Sequence, residues 1–198
     1  KMNDKTIIHK HTPNKHTPNY ETIPQKIDLN FENKQINKME HQIEFDRTTQ
    51  LFLSNHFDKI EELLKITKMR KSIRKNIQDK SYYYLNLGII RKRGKLSDNI
   101  AVGTLRNPEL YNLLKEVATL CGFTDWNAII INKDVNCKKH KDRNNVKKSM
   151  TFTLGTFVGG ELVVEGRPYN TRRKPTMFDG ANQQHWTNSY LGNRISIV

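Results

Sequence analysis

Cysteine is scarce in this chain of 198 residues: Cys121 and Cys137 are the only two. A fold stapled by disulfides is therefore excluded, and both thiols read as structural, although Cys137 precedes His140 by three positions. Long apolar runs are lacking too. None approaches the roughly eighteen residues that a membrane span requires, and no hydrophobic signal segment is visible. The expectation is an intracellular protein, cytoplasmic, nuclear or virion-associated, with no membrane partner. Acidic residues are outnumbered, 20 Asp and Glu against 34 Lys and Arg, which leaves a formal charge of +14 and a pI near 9.8. Such a balance suits a polyanion, with nucleic acid ahead of any anionic surface. The abundance of lysine, asparagine and isoleucine also fits an AT-rich coding sequence, so charge alone does not decide. Only 35% of the residues are hydrophobic, and part of the chain is expected to lie outside any core.

Residues 1–34 carry the pentapeptide KHTPN twice in tandem, at 10–14 and 15–19, with little apolar periodicity. Such a segment cannot bury enough surface to offset its ordering entropy. It reads as a disordered low-complexity tail in which His9, His11 and His16 are solvated. From 35 to 78 the spacing turns helical. Ile36, Met39 and Ile43 recur at three- and four-residue intervals, and Phe57, Ile60, Leu63, Leu64 and Ile66 repeat the pattern. A break is expected between them at Ser54 and Asn55, either of which can cap the second helix. The run at 68–75, KMRKSIRK, holds five positive charges in eight residues. It reads either as a solvated helix face or as a phosphate-contacting strip. A strand is expected at 82–90, its three tyrosines divided between sheet packing and base stacking. Asn107 and Pro108 open a helix striped by Leu110, Leu113, Leu114, Val117 and Leu120 and stopped by Gly122. A further strand follows at 126–132. The chain stops inside an apolar run at 195–198, as a truncated piece of a longer polypeptide would.

Histidine is sparse as well, and this is informative. After His56 the chain holds only His140 and His185. Asp142 lies two residues beyond His140, and on a strand residues i and i+2 share a face, so imidazole and carboxylate can aim at one point. His185 on a neighbouring strand would complete two imidazoles and one carboxylate, a set that leaves coordination positions open and suits non-haem Fe(II). Nine residues further, Arg194 offers a planar, permanently charged fork for a carboxylate in two-point contact. By itself His-x-Asp is a weak signal. Its surroundings strengthen it: 148–164 reads KSMTFTLGTFVGGELVV, two β-rich runs in which Gly155, Gly159 and Gly160 suit tight connections at positive φ.

With HKDRNN at 140–145, Ser149, LGTFVGGELVV at 154–164, FDG at 178–180, His185 and GNRISIV at 192–198, the sequence resembles the 2-oxoglutarate/Fe(II)-dependent oxygenase superfamily. Within it, the pattern is similar to small viral and phage-type members related to the J-base-binding-protein and ten-eleven-translocation DNA oxygenases. The resemblance begins near Trp126 and covers roughly a third of the chain. It implies an all-β core with flanking helices, α+β overall: a double-stranded β-helix, or jelly roll, over 79–198, braced by helices at 35–78. It implies Fe(II) held by His140, Asp142 and His185, with O2 and 2-oxoglutarate as co-substrates and stimulation by ascorbate. The far carboxylate of 2-oxoglutarate would pair with Arg194, helped by Ser196, and Asn132 would hydrogen-bond the same molecule. The implied reaction is hydroxylation of a C–H bond with release of succinate. Its first candidate substrate is the methyl group of thymine or 5-methylcytosine in DNA.

Arg143, Asn144 and Asn145, directly after the ligands, are candidate substrate contacts. So is Trp186, either stacked on an extruded base or packed in the core. Arg167, Arg172, Arg173 and Lys174 are expected in a loop at the mouth of the barrel. Two rivals stand beside this reading. FVGGELVV is also similar to prolyl hydroxylases, which makes a prolyl or lysyl side chain of a protein the alternative substrate; those enzymes usually carry lysine where this chain has Arg194. The non-enzymatic rival is a basic nucleic-acid-binding module with a vestigial iron site.

Overall fold

Helix α1, Arg47–Ile66, forms because Leu53, Phe57, Ile60 and Leu64 recur on one stripe and Asp46 caps its first turn, its Oδ1 accepting from Thr49 N at 2.8 Å. The computed structural model describes residues 42–198 apart from 76, 93 and 94. The tandem-repeat tail and the positions of Ile36 and Met39 lie outside the described residues. Two expectations for this region need correction. Ser54 and Asn55 do not break the chain; they sit mid-helix, because the apolar stripe continues through them. Ile43 is not helical but extended, with Gln42 bridged to Thr176 and Ile43 N donating to Pro175 O at 3.4 Å.

The basic run at 68–75 is likewise not a helix. It contains β1, Arg70–Ser72, an edge strand paired antiparallel with the start of β2, Tyr82–Lys92. β3, Lys95–Ile100, folds back on β2. Two short helices follow, α2 at Val102–Arg106 and α3 at Pro108–Leu120. Asn107 does not cap α3 through its side chain; its Nδ2 donates back to Gly103 O of α2 at 2.8 Å, since it closes one helix as it opens the next. Gly122, at φ +68, ends α3 as expected.

The remaining strands are β4 (Ala128–Lys133), β5 (Ser149–Leu154), β6 (Phe157–Gly159), β7 (Leu162–Val164), β8 (Arg167–Tyr169), β9 (Thr176–Phe178), β10 (His185–Thr187), β11 (Tyr190–Gly192) and β12 (Ile195–Ile197). All named pairings are antiparallel. The main sheet runs β1-β2-β4-β12-β5-β9, a second runs β10-β7-β8, and β11 pairs with β6 as a two-stranded ribbon. The fold is thus a mixture of a few helices with antiparallel sheet.

Alternation along the main sheet separates two environments. Leu85, Leu87, Ile129, Ile131, Phe152, Leu154 and Ile197 face α1 and α3 and form the core with Leu53, Phe57, Ile60, Leu110, Leu114 and Val117. Burying each such side chain contributes roughly 1.5–3 kcal/mol. The intervening positions, Ile130 and Asn132 of β4, Thr151 of β5 and Ser196 of β12, line a cavity on the opposite face. Helices hold one side of the sheet, and the other is left for polar chemistry. The tight connections fall where glycine permits them: Gly155, Gly159 and Gly160 take φ of +100, +79 and +75.

Candidate metal centre

His140 and Asp142 do not lie on a regular strand. They sit in an irregular segment that touches the second sheet through one antiparallel bridge, with His140 N donating to His185 O and His185 N to His140 O, each at 3.0 Å. Asp142 N donates to Gly180 O at 2.7 Å, which turns the carboxylate inward. The result is a cluster in which one ligand atom from each of His140, Asp142 and His185 lies within 4.8 Å of the others. The carboxylate divides itself between the rings: His140 Nε2 is 3.5 Å from Oδ1 and His185 Nε2 is 3.4 Å from Oδ2.

The tautomers follow from the outer contacts. His140 Nδ1 is 2.6 Å from Lys138 O, and His185 Nδ1 is 3.0 Å from Gln183 O. A carbonyl oxygen only accepts, so each Nδ1 carries the proton and each neutral ring turns the lone pair of Nε2 inward. Two such lone pairs facing a carboxylate repel it unless a proton or a cation sits among them. The donor set therefore fits a divalent metal with open positions. The same geometry sets the titration. In the absence of metal a second proton, on Nε2, lets His140 donate to Asp142, and this hydrogen bond raises His140 above its ordinary value, against the opposing effect of burial. Burial pushes the Asp142 carboxyl up, but the hydrogen bonds from His140 and His185 outweigh it and hold the group well below the usual carboxylate range.

Arg194 lines the same cavity of about 160 Å³. It is 4% exposed, its Nε donates to Gly160 O at 3.1 Å, and its guanidinium lies 5.7 Å from the Phe157 ring centre and 5.6 Å from that of Tyr190. It makes no ion pair among the described residues. Burial lowers its pKa, against the opposing effects of Tyr190, Cys137 and Glu161. Ser196 and Asn132 line the cavity beside it and are paired in register across β12 and β4.

No protein-family model matches the sequence, and no curated protein does. Among solved structures, an oxidoreductase of the 2OG-Fe(II) oxygenase family from Burkholderia pseudomallei aligns at a TM-score of 0.50, over 71% of this chain and 75% of that one, with 16% identity. The fold is 2-oxoglutarate/Fe(II) oxygenase-like. NgTET1 in complex with 5mC DNA aligns at 0.49 over 74% of this chain and 66% of that one, with 14% identity. A bsmA homolog from Methylobium petroleophilum aligns at 0.36 over 76% and 84%, with 8% identity.

Within this oxygenase-like fold, the other expected site residues are distributed unevenly. Trp186 lines the cavity and also an adjoining groove of about 800 Å³, with Lys139 Nζ 5.0 Å from its ring centre. Arg143, Asn144 and Asn145 are exposed on the turn after Asp142 and are not among the cavity-lining residues. Asn145 braces that turn, its N–H donating to Asp142 O and its Nδ2 to Ser149 Oγ at 3.0 Å. The basic residues expected in a loop at the mouth are divided, with Arg172 5.5 Å from the Phe157 ring centre that Arg194 also approaches. Arg167 belongs to β8, and Arg173 is held on α1 by Asp58 at 2.6 Å and Glu61 at 2.7 Å, because those carboxylates are the nearest compensation for its charge.

Sequence reasoning missed Thr151, Thr171, Leu162 and Arg74 in the cavity wall. Thr151 was findable, since it alternates with Met150 and Phe152 on a strand; Arg74 was hidden in the charge run. Tyr82 is buried, as sheet packing requires, and Tyr83 is exposed. Cys137 also lines the cavity, its thiol pushed up to about 11 by burial, an effect partly offset by Arg194.

Proposed function

We propose that the protein is a 2-oxoglutarate- and Fe(II)-dependent dioxygenase that hydroxylates a C–H bond, with the methyl group of thymine or 5-methylcytosine in DNA as its substrate. The observation that carries this reading is the composition of one cavity wall: three converging metal-ligating atoms together with a buried guanidinium that has no ion pair among the described residues. In this reading the main sheet and the β10-β7-β8 sheet, with His140 bridged onto β10, are the two halves of a double-stranded β-helix.

His140, Asp142 and His185 would hold Fe(II), and the two Nδ1 hydrogen bonds fix the rings in ligating orientation. The metal, when bound with O2 and 2-oxoglutarate, supplies an oxidant able to break an aliphatic C–H bond, with succinate and CO2 as by-products. Arg194 takes the far carboxylate of 2-oxoglutarate in a site where low dielectric strengthens the pair. Ser196 and Asn132 complete its polar wall. Leu162 and Phe178 contribute apolar surface to the cavity wall. No protein nucleophile or general base is required.

For the substrate, the support is the charge of +14 and the sequence resemblance to DNA-modifying oxygenases. The test is mass spectrometry of nucleosides from DNA, single-stranded and duplex, incubated with the protein, Fe(II), ascorbate and 2-oxoglutarate. A hydroxymethyl pyrimidine is expected, and it should vanish with His185→Ala. Succinate released without any altered nucleoside, and stimulated by a peptide, would overturn the DNA reading and leave the oxygenase. Neither product would overturn both.

A further inference from the structure

Two basic segments meet at the cavity. The first is 68–75, where Lys68, Arg70, Lys71, Arg74 and Lys75 are all exposed and Arg74 lines the cavity. The second is 138–148, where Lys138, Lys139, Lys141, Arg143, Lys147 and Lys148 are exposed around the ligands His140 and Asp142. They are tied together, since Lys138 Nζ donates to Lys75 O at 3.5 Å and, just past the first segment, Lys138 N donates to Ile77 O at 2.8 Å and Lys138 Nζ pairs with Asp79 at 2.7 Å. That pair and Lys147 with Asp125 account for two of the cations. Lys71, Lys75, Lys141 and Arg143 make no ion pair among the described residues. Such a concentration of like charge on two sides of one opening costs repulsion, which a polyanion relieves.

Between the segments lies an aromatic face. Trp186 forms a wall shared by the cavity and the adjoining groove, with Lys139 beside its ring and Tyr190 further along the groove. Aromatic faces flanked by cations are how proteins hold single strands, because every base has a π-face and every linkage a charge. A base paired and stacked in a duplex cannot reach a group inside a cavity of about 160 Å³.

We propose that one nucleic-acid strand crosses the protein here, its phosphates held by 68–75 on one side of the opening and by 139–143 on the other. In the groove, Trp186 stacks on the nucleotide next to the one that enters the cavity. The interface rests on the proposed function only for what happens to that nucleotide, and its test needs neither metal nor co-substrate.

An end-labelled DNA oligonucleotide of about 12 nucleotides, alone or with its complement, is titrated with the full chain by fluorescence anisotropy from about 50 to about 300 mM salt. The single strand should bind more tightly than the duplex. Replacing Lys71 and Lys75 together with glutamine should flatten the log–log salt slope by about 1.4, at roughly 0.7 for each phosphate no longer neutralised, and Lys141→Gln with Arg143→Gln should do the same. Trp186→Leu should weaken binding by about 5- to 150-fold with the slope unchanged, and Trp186→Phe should recover most of it. All these positions are exposed or half-exposed, so unchanged melting curves are the check on folding. An unchanged slope in either double variant, preference for the duplex, or full affinity in Trp186→Leu overturns the proposal. Strand binding is read on the metal-free protein and turnover on the loaded one, so failure of the oxygenase reading appears in turnover and failure of this one in binding.

Discussion

Replacing Arg194 with methionine tests the site most directly, because the structure fixes what is removed and what is relieved. Methionine keeps much of the side chain's apolar bulk and removes its charge. Removed are a charge-assisted hydrogen bond to Gly160 O, worth about 1.5–3 kcal/mol, and the interactions with the Phe157 and Tyr190 rings, worth about 1 kcal/mol each. Relieved is the burial of a cation that has no ion pair among the described residues, which costs several kcal/mol. The two sides nearly cancel. The ligand-free protein should therefore shift in stability by no more than about 1–2 kcal/mol, or roughly 2–8 °C in melting temperature for a domain of this size. The response to ligand should differ sharply. With Mn(II) in place of Fe(II) to prevent turnover, 2-oxoglutarate at about 100 times its Kd adds about 2.7 kcal/mol, which should raise the wild-type midpoint by roughly 5–11 °C. Arg194→Met should lose this response, and Arg194→Lys, which keeps the charge but not the fork, should recover part of it. Differential scanning calorimetry reads both effects. A wild-type ligand response in Arg194→Met would place the carboxylate elsewhere. A ligand-free loss above about 4 kcal/mol would show that the guanidinium is a structural tie, against the burial argument.

Gly160→Ala should cost about 2–4 kcal/mol and blunt the same ligand response, because φ is +75 and the new Cβ would lie 3.0 Å from Arg194 Cδ and Nε. Its control, Gly166→Ala at φ +82 with no atom within 4 Å, should show in urea only the backbone cost of about 1–2 kcal/mol. In the metal-free protein, the depressed Asp142 carboxyl contributes stability above 3.8 that is lost as pH falls through its folded pKa. The raised His140 imidazole contributes below 6.5 and loses it as pH rises through its folded pKa. The cluster's contribution should therefore peak between 3.8 and 6.5. Mn(II) affinity should instead rise with pH, because metal displaces the proton. Asp142→Asn should flatten the first profile in urea titrations and abolish Mn(II) binding; retained binding would overturn the ligand assignment. Burial pushes Cys121 up to about 12 and Cys137 up to about 11, from 9.0. Iodoacetamide at pH 8 should then modify either thiol at least about 100-fold more slowly in the native than in the denatured state. Rapid native labelling of Cys137 would show the cavity to be open and wet.

Much of the candidate site's composition was legible in one dimension because it depends on residue type and scarcity. With two histidines after His56, a carboxylate two positions from one of them and an arginine nine after the other, few assignments were open. The α3 stripe and the β-rich runs were equally plain, since their periods are local properties of the chain. The errors came where local propensity competed with context. Ser54 and Asn55 read as a break, yet the stripe from Leu53 to Leu64 packs on the sheet and carries the helix through them. The charge run at 68–75 reads the same on a helix or an edge strand, and pairing with Tyr82, Tyr83 and Tyr84 made it a strand. His140 and Asp142 were expected on a strand and share a target without one.

The sequence by itself determined the inventory: basic, poor in thiols, alternating in its second half, and supplied with two imidazoles, a carboxylate and a guanidinium. Tertiary structure alone decided that these groups share one cavity. It also decided that both Nδ1 atoms face carbonyls, that Arg194 is buried without an ion pair among the described residues while Arg173 is held by α1, and that Thr151, Thr171 and Arg74 join the wall. The reason is physical. Residue type sets which contacts a group can make, but which partner it meets depends on strand register and turn geometry, and these are settled by the packing of the whole sheet on its helices.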